Sequence, residues 1–380
     1  MPFPPVMHVS CSSNDQNTIS EGNPVRHALL ITIILALTTL ACSSTLTPIP
    51  TVVQAPASTL PPTRSTKMGI AGLIPRNFPN SSDADWLDLY DTLPETGTML
   101  GVYTNWTDSP ETAGEIPGVV DVAFGLAPRY GFTPLVGLGF DRHTSDGTVE
   151  STISWDAPDD TEKLKQAVVS IARQYQPEYL VLGGEVNRYY EHDPAGFDLF
   201  VAVYAELYDA VKAVSPQTLV FPVFQLEMTK GGGYLLGGSQ SRSSQWHLID
   251  RFGERLDIAA FTTYPFLDYA SPADIPEDYY AEIAAHTSRP VAFTEIGWPS
   301  APIATFPDSE YGGSPDEQAA FVRRFFQLNA DTDLVLALWA FPHDLGSGSH
   351  NAAMDSISLR HNDGTPKPAL TVWHEFVYEE

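Results

Sequence analysis

Two glutamates stand at the ends of apolar runs of the kind that form buried strands. Glu185 closes the stretch YLVLGGE, and Glu295 closes the stretch VAFTE. Two carboxyl groups that project into one cleft can cleave a glycosidic bond, because one protonates the leaving oxygen while the other meets the oxocarbenium-like carbon from the opposite face. A single glutamate at a strand end can equally be a capping or salt-bridging residue, so this chemistry requires a fold that brings the pair together.

Eight short apolar runs alternate with amphipathic segments from residue 67 to the end of the chain. Most are continuously apolar, as expected for parallel strands that are buried on both faces. The predicted strands are Met68–Ile74, Thr98–Thr104, Pro134–Phe140, Tyr179–Gly184, Leu219–Phe224, Ile258–Tyr264, Pro290–Glu295 and Leu334–Phe341. Eight βα units in roughly 310 residues predict an α/β fold, a single-domain TIM (β/α)₈ barrel, whose active site lies at the carboxyl ends of the strands.

An open doubly wound sheet is the rival architecture, and it usually has a glycine-rich phosphate turn after an early strand. The first turn here reads GLIPRNFP, which is not such a turn. The histidines that could bind a metal are scattered over different predicted loops without paired spacing, namely His143, His192, His343 and His350. The sequence therefore indicates no metal site, and we expect no cofactor.

The charge of the chain limits its partners. The 380 residues include 47 Asp and Glu against 20 Lys and Arg, for a formal net charge of −27. The charged residues before residue 67 cancel, so the whole excess falls on residues 67–380. A negative field of this size repels nucleic acid and anionic lipid head groups. We expect no nucleic-acid partner, a neutral oligo- or polysaccharide substrate and a monomer.

The first 66 residues have the composition of an export signal followed by a spacer. Residues 28–41, ALLITIILALTTLA, are too short to span a bilayer comfortably and are typical of a signal peptide. The run ends at Cys42 in LACSS, which resembles a bacterial lipoprotein signal whose cysteine becomes lipidated. Residues 43–66 are rich in Pro, Thr and Ser, as in an extended linker. We expect a signal peptide at 1–42, a linker at 43–66 and a catalytic domain at 67–380, lipid-anchored outside the cytoplasm or simply secreted.

The segment TEIGWPS around Glu295 resembles the nucleophile segment of plant-type β-1,3-glucanases and of arabinogalactan endo-β-1,4-galactanases. Both belong to the clan A superfamily of retaining barrel glycoside hydrolases. The tail HNDGTPKPALTVWHEF also resembles the usual ending of that superfamily. The resemblance implies hydrolysis of a β-linked glycan, with Glu295 as nucleophile and Glu185 as acid/base. Burial beside the charge of Glu295 should then raise the pKa of Glu185.

The same resemblance places aromatic residues at the sugar. Tyr264 in FTTYPF matches a tyrosine that hydrogen-bonds the nucleophile, and Trp339 in LALWAF matches an aromatic platform beneath the sugar ring. Each could instead be a core residue of the barrel. Trp298, inside the nucleophile motif, either packs in the turn after strand seven or contacts sugar.

Two positions depart from the superfamily pattern. An Asn that holds the sugar 2-hydroxyl usually precedes the acid/base, but Gly184 stands there, and Asn187 is the candidate to compensate. An Arg is common near the end of strand two, where GVYTNW offers Tyr103 and Asn105 instead. These losses keep an alternative open, a non-catalytic glycan-binding surface lipoprotein on a degenerate barrel.

Further polar and aromatic residues follow the predicted strands and could line a sugar cleft, although each alone could be a solvated loop residue. They are Trp106, Asp141, His143, Arg188, Tyr189, Tyr190, Gln225, Glu227, His343 and Asp344.

Overall fold

The computed structural model describes residues 66–105, 116–143, 149–233, 243–303, 313–346 and 353–378, all within one compact unit. The predicted signal peptide with Cys42 and the linker up to residue 65 lie outside these ranges, as does Trp106. Within these ranges, no helix is long and apolar enough to cross a membrane.

Parallel strands form the barrel that the apolar runs predict. In chain order the strands are β1 (Lys67–Ile70), β2 (Met99–Asn105), β3 (Thr133–Gly139), β4 (Asp141–His143), β5 (Val149–Ser151), β6 (Tyr179–Leu182), β7 (Leu219–Phe221), β8 (Val223–Gln225), β9 (Ala259–Thr263), β10 (Val291–Ile296) and β11 (Leu334–Trp339). Strands β4 and β5 pair only with each other, as an antiparallel hairpin. The other nine form one sheet, and all eight predicted strands are present in it. The predicted (β/α)₈ barrel is confirmed.

The ring of strands closes through a fifth strand that is interrupted once. Strand β1 pairs with β11 on one side of the ring, β6 pairs with β7, and β8 pairs with β9. Pro222 separates β7 from β8, and proline has no N–H to donate to the ladder. Beyond it, the Val223 N–H donates to the carbonyl of Gly183 at 3.0 Å, so contact with the fourth strand resumes.

Helices cover the outside of the barrel. They are α1 (Asp83–Thr92), α2 (Gly118–Tyr130), α3 (Pro158–Tyr175), α4 (Val186–His192), α5 (Pro194–Val214), α6 (Leu226–Lys230), α7 (Pro315–Leu328) and α8 (Pro368–Val377). Ser82 caps α1 through a reciprocal capping box with Asp85, and Ser314 caps α7 ahead of a proline at the first helical position. These caps satisfy backbone N–H groups that a helix start leaves unpaired.

Units five and six depart from the regular alternation of strands and α-helices. In the described part of these units, 3₁₀ segments at Trp246–Arg255, Pro265–Leu267, Pro272–Asp274 and Ala281–Ala285 supplement or replace the α-helix. Proline recurs here in the sequence SPADIPEDYY, and it cannot donate the hydrogen bond that an α-helix interior needs. Gly253 adds a non-helical kink with φ of 52°.

Inside the barrel, two glycines make room for one aromatic ring. A Cβ added at Gly137 would lie 2.2 Å from Cδ1 of Tyr103, and one at Gly101 would lie 2.7 Å from Cε2 of the same ring. The phenol of Tyr103 faces Thr294 and the charge of Glu295, both of which belong to β10 on another side of the barrel. The ring of Tyr103 therefore lies in the barrel interior, directed towards the strand that carries Glu295.

We expect Gly137→Ala to push the Tyr103 ring from this position and to lower the free energy of unfolding by about 1–3 kcal/mol, as overpacked cores do. Gly125→Ala is the matched control, because it lies in the exposed interior of α2 and an added Cβ meets nothing within 4 Å. That control should raise stability by up to about 1 kcal/mol. Denaturant unfolding measures both changes, and equal stability of the two variants would contradict the packing described here.

Candidate active site

Glu185 lies in a tight turn between β6 and α4. Gly183 has φ of 93°, and Glu185 itself has φ of 44° and ψ of 44°, a left-handed conformation that is uncommon for a residue with a side chain. Such backbone costs roughly 1–3 kcal/mol and occurs preferentially at functional positions. The turn directs the Glu185 side chain into a buried position, with 8% of the residue exposed.

Glu295 reaches the mouth of the barrel through an irregularity in β10. The pairing of β10 with both of its neighbours shifts register just after Phe293. Phe293 packs outward against Tyr280 and Phe325, in the layer of helices. A bulge of this kind changes the direction in which the following side chain points. Glu295 is consequently partly buried beside the end of β9, with Thr262 as its register partner.

The end of β9 connects the two glutamates. Thr262 donates from Oγ1 to Oε1 of Glu185 at 2.7 Å. Tyr264 donates from its phenol to Oε2 of Glu295 at 2.5 Å, the hydrogen bond that the resemblance implies. Because Thr262 is also the register partner of Glu295, both carboxyl groups lie at one mouth of the barrel. The structure thus brings together the pair that the sequence analysis singled out.

A guanidinium group holds the other oxygen of Glu185. Arg188 donates from Nη1 to Oε2 of Glu185 at 2.7 Å, and its side chain is only 13% exposed. The two residues are three apart at the start of α4, where side chains share a helix face. Glu185 therefore accepts one hydrogen bond on each oxygen, from Thr262 and from Arg188.

The two phenols at the site stay protonated. Burial raises the pKa of Tyr264 well above its usual range, and the charge of Glu295 adds to this effect. Burial likewise raises the pKa of Tyr103, and the charge of Glu295 raises it further. Both side chains are therefore available as hydrogen-bond donors at any ordinary pH.

The pKa of Glu295 reflects its burial and its charged neighbours. Burial raises the pKa of Glu295 to about 8, and the nearby charge of Glu185 contributes, while the bond from Tyr264 and the charge of Arg188 oppose it. Glu185 accepts a hydrogen bond from a cation, whereas Glu295 accepts one from a neutral phenol.

Two residues predicted to bind substrate hold the scaffold instead. Asn187 is fully buried and donates to the carbonyl of Gln225, to Thr229 and to Gln245, while its own oxygen accepts from the Gln225 N–H. The Gln225 side chain donates to Glu227 and accepts from the N–H of Met228. The prediction that Asn187 replaces the missing sugar contact is wrong for this conformation, because its hydrogen-bonding capacity is already used.

The two predicted tryptophans are core residues. Trp339 is fully buried, donates to the carbonyl of Ile357 at 2.7 Å and packs against Phe321 of α7 and Trp373 of α8. It therefore points from the barrel towards the helices, and its prediction as a platform beneath the sugar is wrong for this structure. Trp298 is also fully buried and stacks on Phe321, which agrees with packing in the turn after strand seven.

The remaining candidates lie beside the cleft or outside the described side chains. Glu227 is fully buried, accepts from Thr263 and Tyr279, and burial raises its pKa to about 7. His343 contacts the Ile74 carbonyl, and Asp344 accepts from Lys367. Tyr189 is buried against Phe140, and Tyr190 packs on Phe197. For Asn105, Asp141 and His143 the structure gives only the backbone, at the end of β2 and in β4.

Sequence reasoning missed the partner of each Glu185 oxygen. Arg188 was noted only as a general lining candidate, although its helical spacing from Glu185 was a usable signal. Thr262 had no signal of its own, since its position is defined by pairing between distant strands. In the described residues, no cluster of three or more His, Cys, Asp or Glu could hold a metal ion.

We expect Glu295→Gln to change the pH dependence of stability. Between about pH 4.5, the ordinary value, and about pH 8, folded Glu295 keeps a proton that the unfolded chain releases, so wild-type stability falls as pH rises through this window. The variant has no titrating carboxyl at this position, so its stability does not fall for this reason. Its stability relative to wild type should increase by about 1.4 kcal/mol per pH unit where Glu295 alone differs in protonation.

Denaturant unfolding at several pH values from 4 to 9 measures the difference. The variant Glu254→Gln, at a fully exposed side chain, controls for the loss of a carboxylate. A constant difference between Glu295→Gln and wild type over this range would contradict the raised pKa of Glu295.

Comparison with known proteins adds information about the fold. No family model and no curated protein matches the sequence. Among solved structures, a GH5_18 protein from Streptomyces cattleya in complex with GlcNAc is 18% identical with a TM-score of 0.59, over 83% of this chain and 80% of that one. A glucosidase from Croceicoccus marinus is 18% identical with a TM-score of 0.55, over 83% and 68%.

A structure of fungal β-1,4-galactanases is 13% identical with a TM-score of 0.51, over 74% of this chain and 88% of that one. These proteins share an architecture with this chain at low sequence identity. The chain thus has the (β/α)₈ barrel fold found in structures of glycoside hydrolases.

Proposed function

We propose that this protein is a retaining glycoside hydrolase of the clan A superfamily that cleaves a β-linked glycan by double displacement. One observation carries the proposal: Glu185 after the fourth barrel strand and Glu295 on the seventh lie at one mouth, held by Thr262 and Tyr264 at the end of the sixth. The barrel it shares with glycoside hydrolase structures supports this, as does the GlcNAc bound to the Streptomyces cattleya protein.

In the first step, a carboxylate oxygen of Glu295 attacks the anomeric carbon while the glycosidic C–O bond breaks. Glu185 gives its proton to the departing oxygen, and the sugar becomes an ester of Glu295. Tyr264 holds Oε2 of Glu295, which leaves the other oxygen to form the new bond. Glu295 must be ionised and Glu185 protonated at this moment.

In the second step, Glu185 is a carboxylate and takes a proton from water. The water oxygen attacks the anomeric carbon from the face that the leaving group vacated, and the bond to Glu295 breaks. Two inversions give net retention of configuration, and both carboxyl groups return to their starting protonation. The esterification of Glu295 removes its charge, so Glu185 can act as acid in one step and base in the next.

We expect the protein to release reducing ends from at least one of β-1,3-glucan, β-1,4-galactan, β-mannan or xylan, and to retain the anomeric configuration. Glu295→Ala should then abolish turnover, because no nucleophile remains. Added azide can enter the vacated space and attack directly, which should partly restore cleavage with an inverted glycosyl azide as product. Reducing-end detection and NMR of the product anomer measure both effects.

Glu227→Gln is the matched control, since Glu227 is a buried carboxyl outside the cleft. It should not gain activity from azide. Turnover that persists in Glu295→Ala would disprove the assignment of the nucleophile. The alternative of a non-catalytic glycan-binding protein would be favoured by absent turnover on every glycan, together with undiminished sugar binding in the Glu185→Gln, Glu295→Gln double variant.

We further propose that the protein is a bacterial lipoprotein that works outside the cytoplasm. The apolar run 28–41, the following Cys42 and the Pro/Thr/Ser-rich residues 43–66 support an anchored barrel on a spacer. A diacylated cysteine would make the only contact with the membrane, and two acyl chains suffice for stable anchoring.

We expect Cys42→Ala to prevent incorporation of labelled fatty acid in a bacterial host and to move the protein from the membrane fraction to the soluble fraction or to an unprocessed precursor. Cys11→Ala is the control, since Cys11 is the other cysteine of the chain. Equal labelling of Cys42→Ala and wild type would contradict the lipid anchor.

A further inference from the structure

A third glutamate is buried beside the site, although it does not line the cleft. Glu227 lies in α6 and is fully buried. Its Oε1 accepts hydrogen bonds from Oγ1 of Thr263 and from the phenol of Tyr279, each at 2.8 Å. Its Oε2 accepts a hydrogen bond from Nε2 of Gln225 at 2.5 Å. All three of these donors are neutral groups.

Stability alone does not account for a carboxyl group at this position. Taking a carboxyl group out of water has a large cost in free energy, which neutral donors offset only in part. Burial accordingly raises the pKa of Glu227 to about 7. The layer around it is aromatic, since Tyr279 packs on Tyr280, which packs on Phe293 of the seventh barrel strand. A well-packed apolar side chain would stabilise such a layer at least as well.

The contact with Thr263 connects Glu227 to the two carboxyl groups of the mouth. Successive side chains of a strand point to opposite faces. Thr262 and Tyr264 donate into the mouth, each to one of these carboxyl groups. Thr263 lies between them and points away from the mouth, where its hydroxyl donates to Glu227.

The strand ladder ends close to this contact. On the side of the fifth barrel strand, the register pairs of β8 and β9 end with Gln225 and Thr262. Thr263 is the last residue of β9, and Tyr264 leads from it into a 3₁₀ segment. Glu227 bonds to the side chains of both Gln225 and Thr263. It therefore continues the connection between the fifth and sixth strands one residue beyond the ladder.

We propose that Glu227 is a positioning residue: through Thr263 it fixes the end of β9, so that Thr262 and Tyr264 hold the acid/base and the nucleophile at the separation that double displacement needs. The inference rests on the proposed function, since it takes the two carboxyl groups of the mouth as acid/base and nucleophile. A displacement of about 1 Å in such a site can lower the rate by about 100-fold.

Thr263→Val and Tyr279→Phe form a matched pair of variants. Each removes one hydroxyl group that donates to Oε1 of Glu227 at 2.8 Å, and both residues are buried. Of the two, only Thr263 lies on the strand that holds the carboxyl groups. On a glycan that is hydrolysed, we expect Thr263→Val to lower kcat by about 10-fold or more. Tyr279→Phe should lower stability without a comparable loss of kcat.

Thr263→Ser keeps the hydroxyl group and should recover most of the activity that Thr263→Val loses. Thr263→Val also removes a partner 3.3 Å from the phenol of Tyr280, so its stability should fall as well. All rates are therefore measured where circular dichroism shows that each variant is folded.

Glu227→Leu tests the carboxyl group itself, because it removes the acceptor of Thr263. It should lower kcat to an extent similar to Thr263→Val. The double variant should lose no more activity than Glu227→Leu alone, because both changes break one contact. Losses that multiply in the double variant would show that Thr263 acts independently of Glu227, contrary to the proposal. The Thr263 variants still test the contact if Glu227→Leu does not fold.

The placement of the two carboxyl groups is also measurable without turnover. The full chain is labelled with ¹³C at glutamate side-chain carboxyls and titrated by NMR, and Glu185→Gln and Glu295→Gln assign the two resonances. Weaker hydrogen bonds to these carboxyl groups disfavour their charged forms, so Thr263→Val should move the titration of the pair to higher pH. Tyr279→Phe should leave it near that of wild type.

Unmoved resonances in Thr263→Val, or equal movement in Thr263→Val and Tyr279→Phe, would overturn the proposal. Unchanged kcat in a Thr263→Val enzyme would also overturn it, even if the resonances move. If the resonances move as expected but the wild type hydrolyses no glycan, the proposed function fails, while the placement of the two carboxyl groups by Glu227 stands.

Discussion

Two carboxyl groups at one poorly solvated barrel mouth cannot both be ionised without a cost, and the rest of the site reflects how that cost is met. Tyr264 stabilises charge on Glu295, whereas Thr262 and Arg188 stabilise charge on Glu185. These partners are unequal, since only one of them is a cation. Burial and the neighbouring charge of Glu185 raise the pKa of Glu295 to about 8.

The barrel supplies the geometry through two local irregularities. The left-handed backbone at Glu185 turns the chain sharply from β6 into α4, and the register shift in β10 redirects Glu295 after the outward-facing Phe293. Neither irregularity would persist unless the surroundings were well determined. Buried Asn187 contributes to this by fixing the start of α4 to the end of the fifth strand.

Much of the fold could be predicted because its signals are local. Buried parallel strands are continuous apolar runs, and Ser82 and Ser314 mark helix starts by their own chemistry. The resemblance also implied the hydrogen bond from Tyr264 to Glu295, which the structure contains. The prediction that Trp339 lies beneath the sugar was wrong because neighbouring positions of a strand face opposite sides of the sheet. A matching sequence motif does not determine which of these sides faces the sugar. The role of Asn187 was predicted wrongly and Thr262 was missed for a related reason, since their contacts join residues far apart in sequence.

The proline in the fifth strand leaves the strand ladder of the barrel wall open at one seam, between β7 and β8. Strand β7 pairs with β6, which leads to Glu185, and β8 pairs with β9, which carries Thr262 and pairs in turn with β10, the strand of Glu295. The two carboxyl groups therefore stand on opposite sides of this seam. At the mouth, this seam is crossed by the bond from Val223 to Gly183 and by the bonds of Asn187 to Gln225. The short way round the wall from Glu185 to Glu295 thus crosses a few hydrogen bonds at this seam, whereas the strand ladder joins them only the long way round, through β3, β2, β1 and β11.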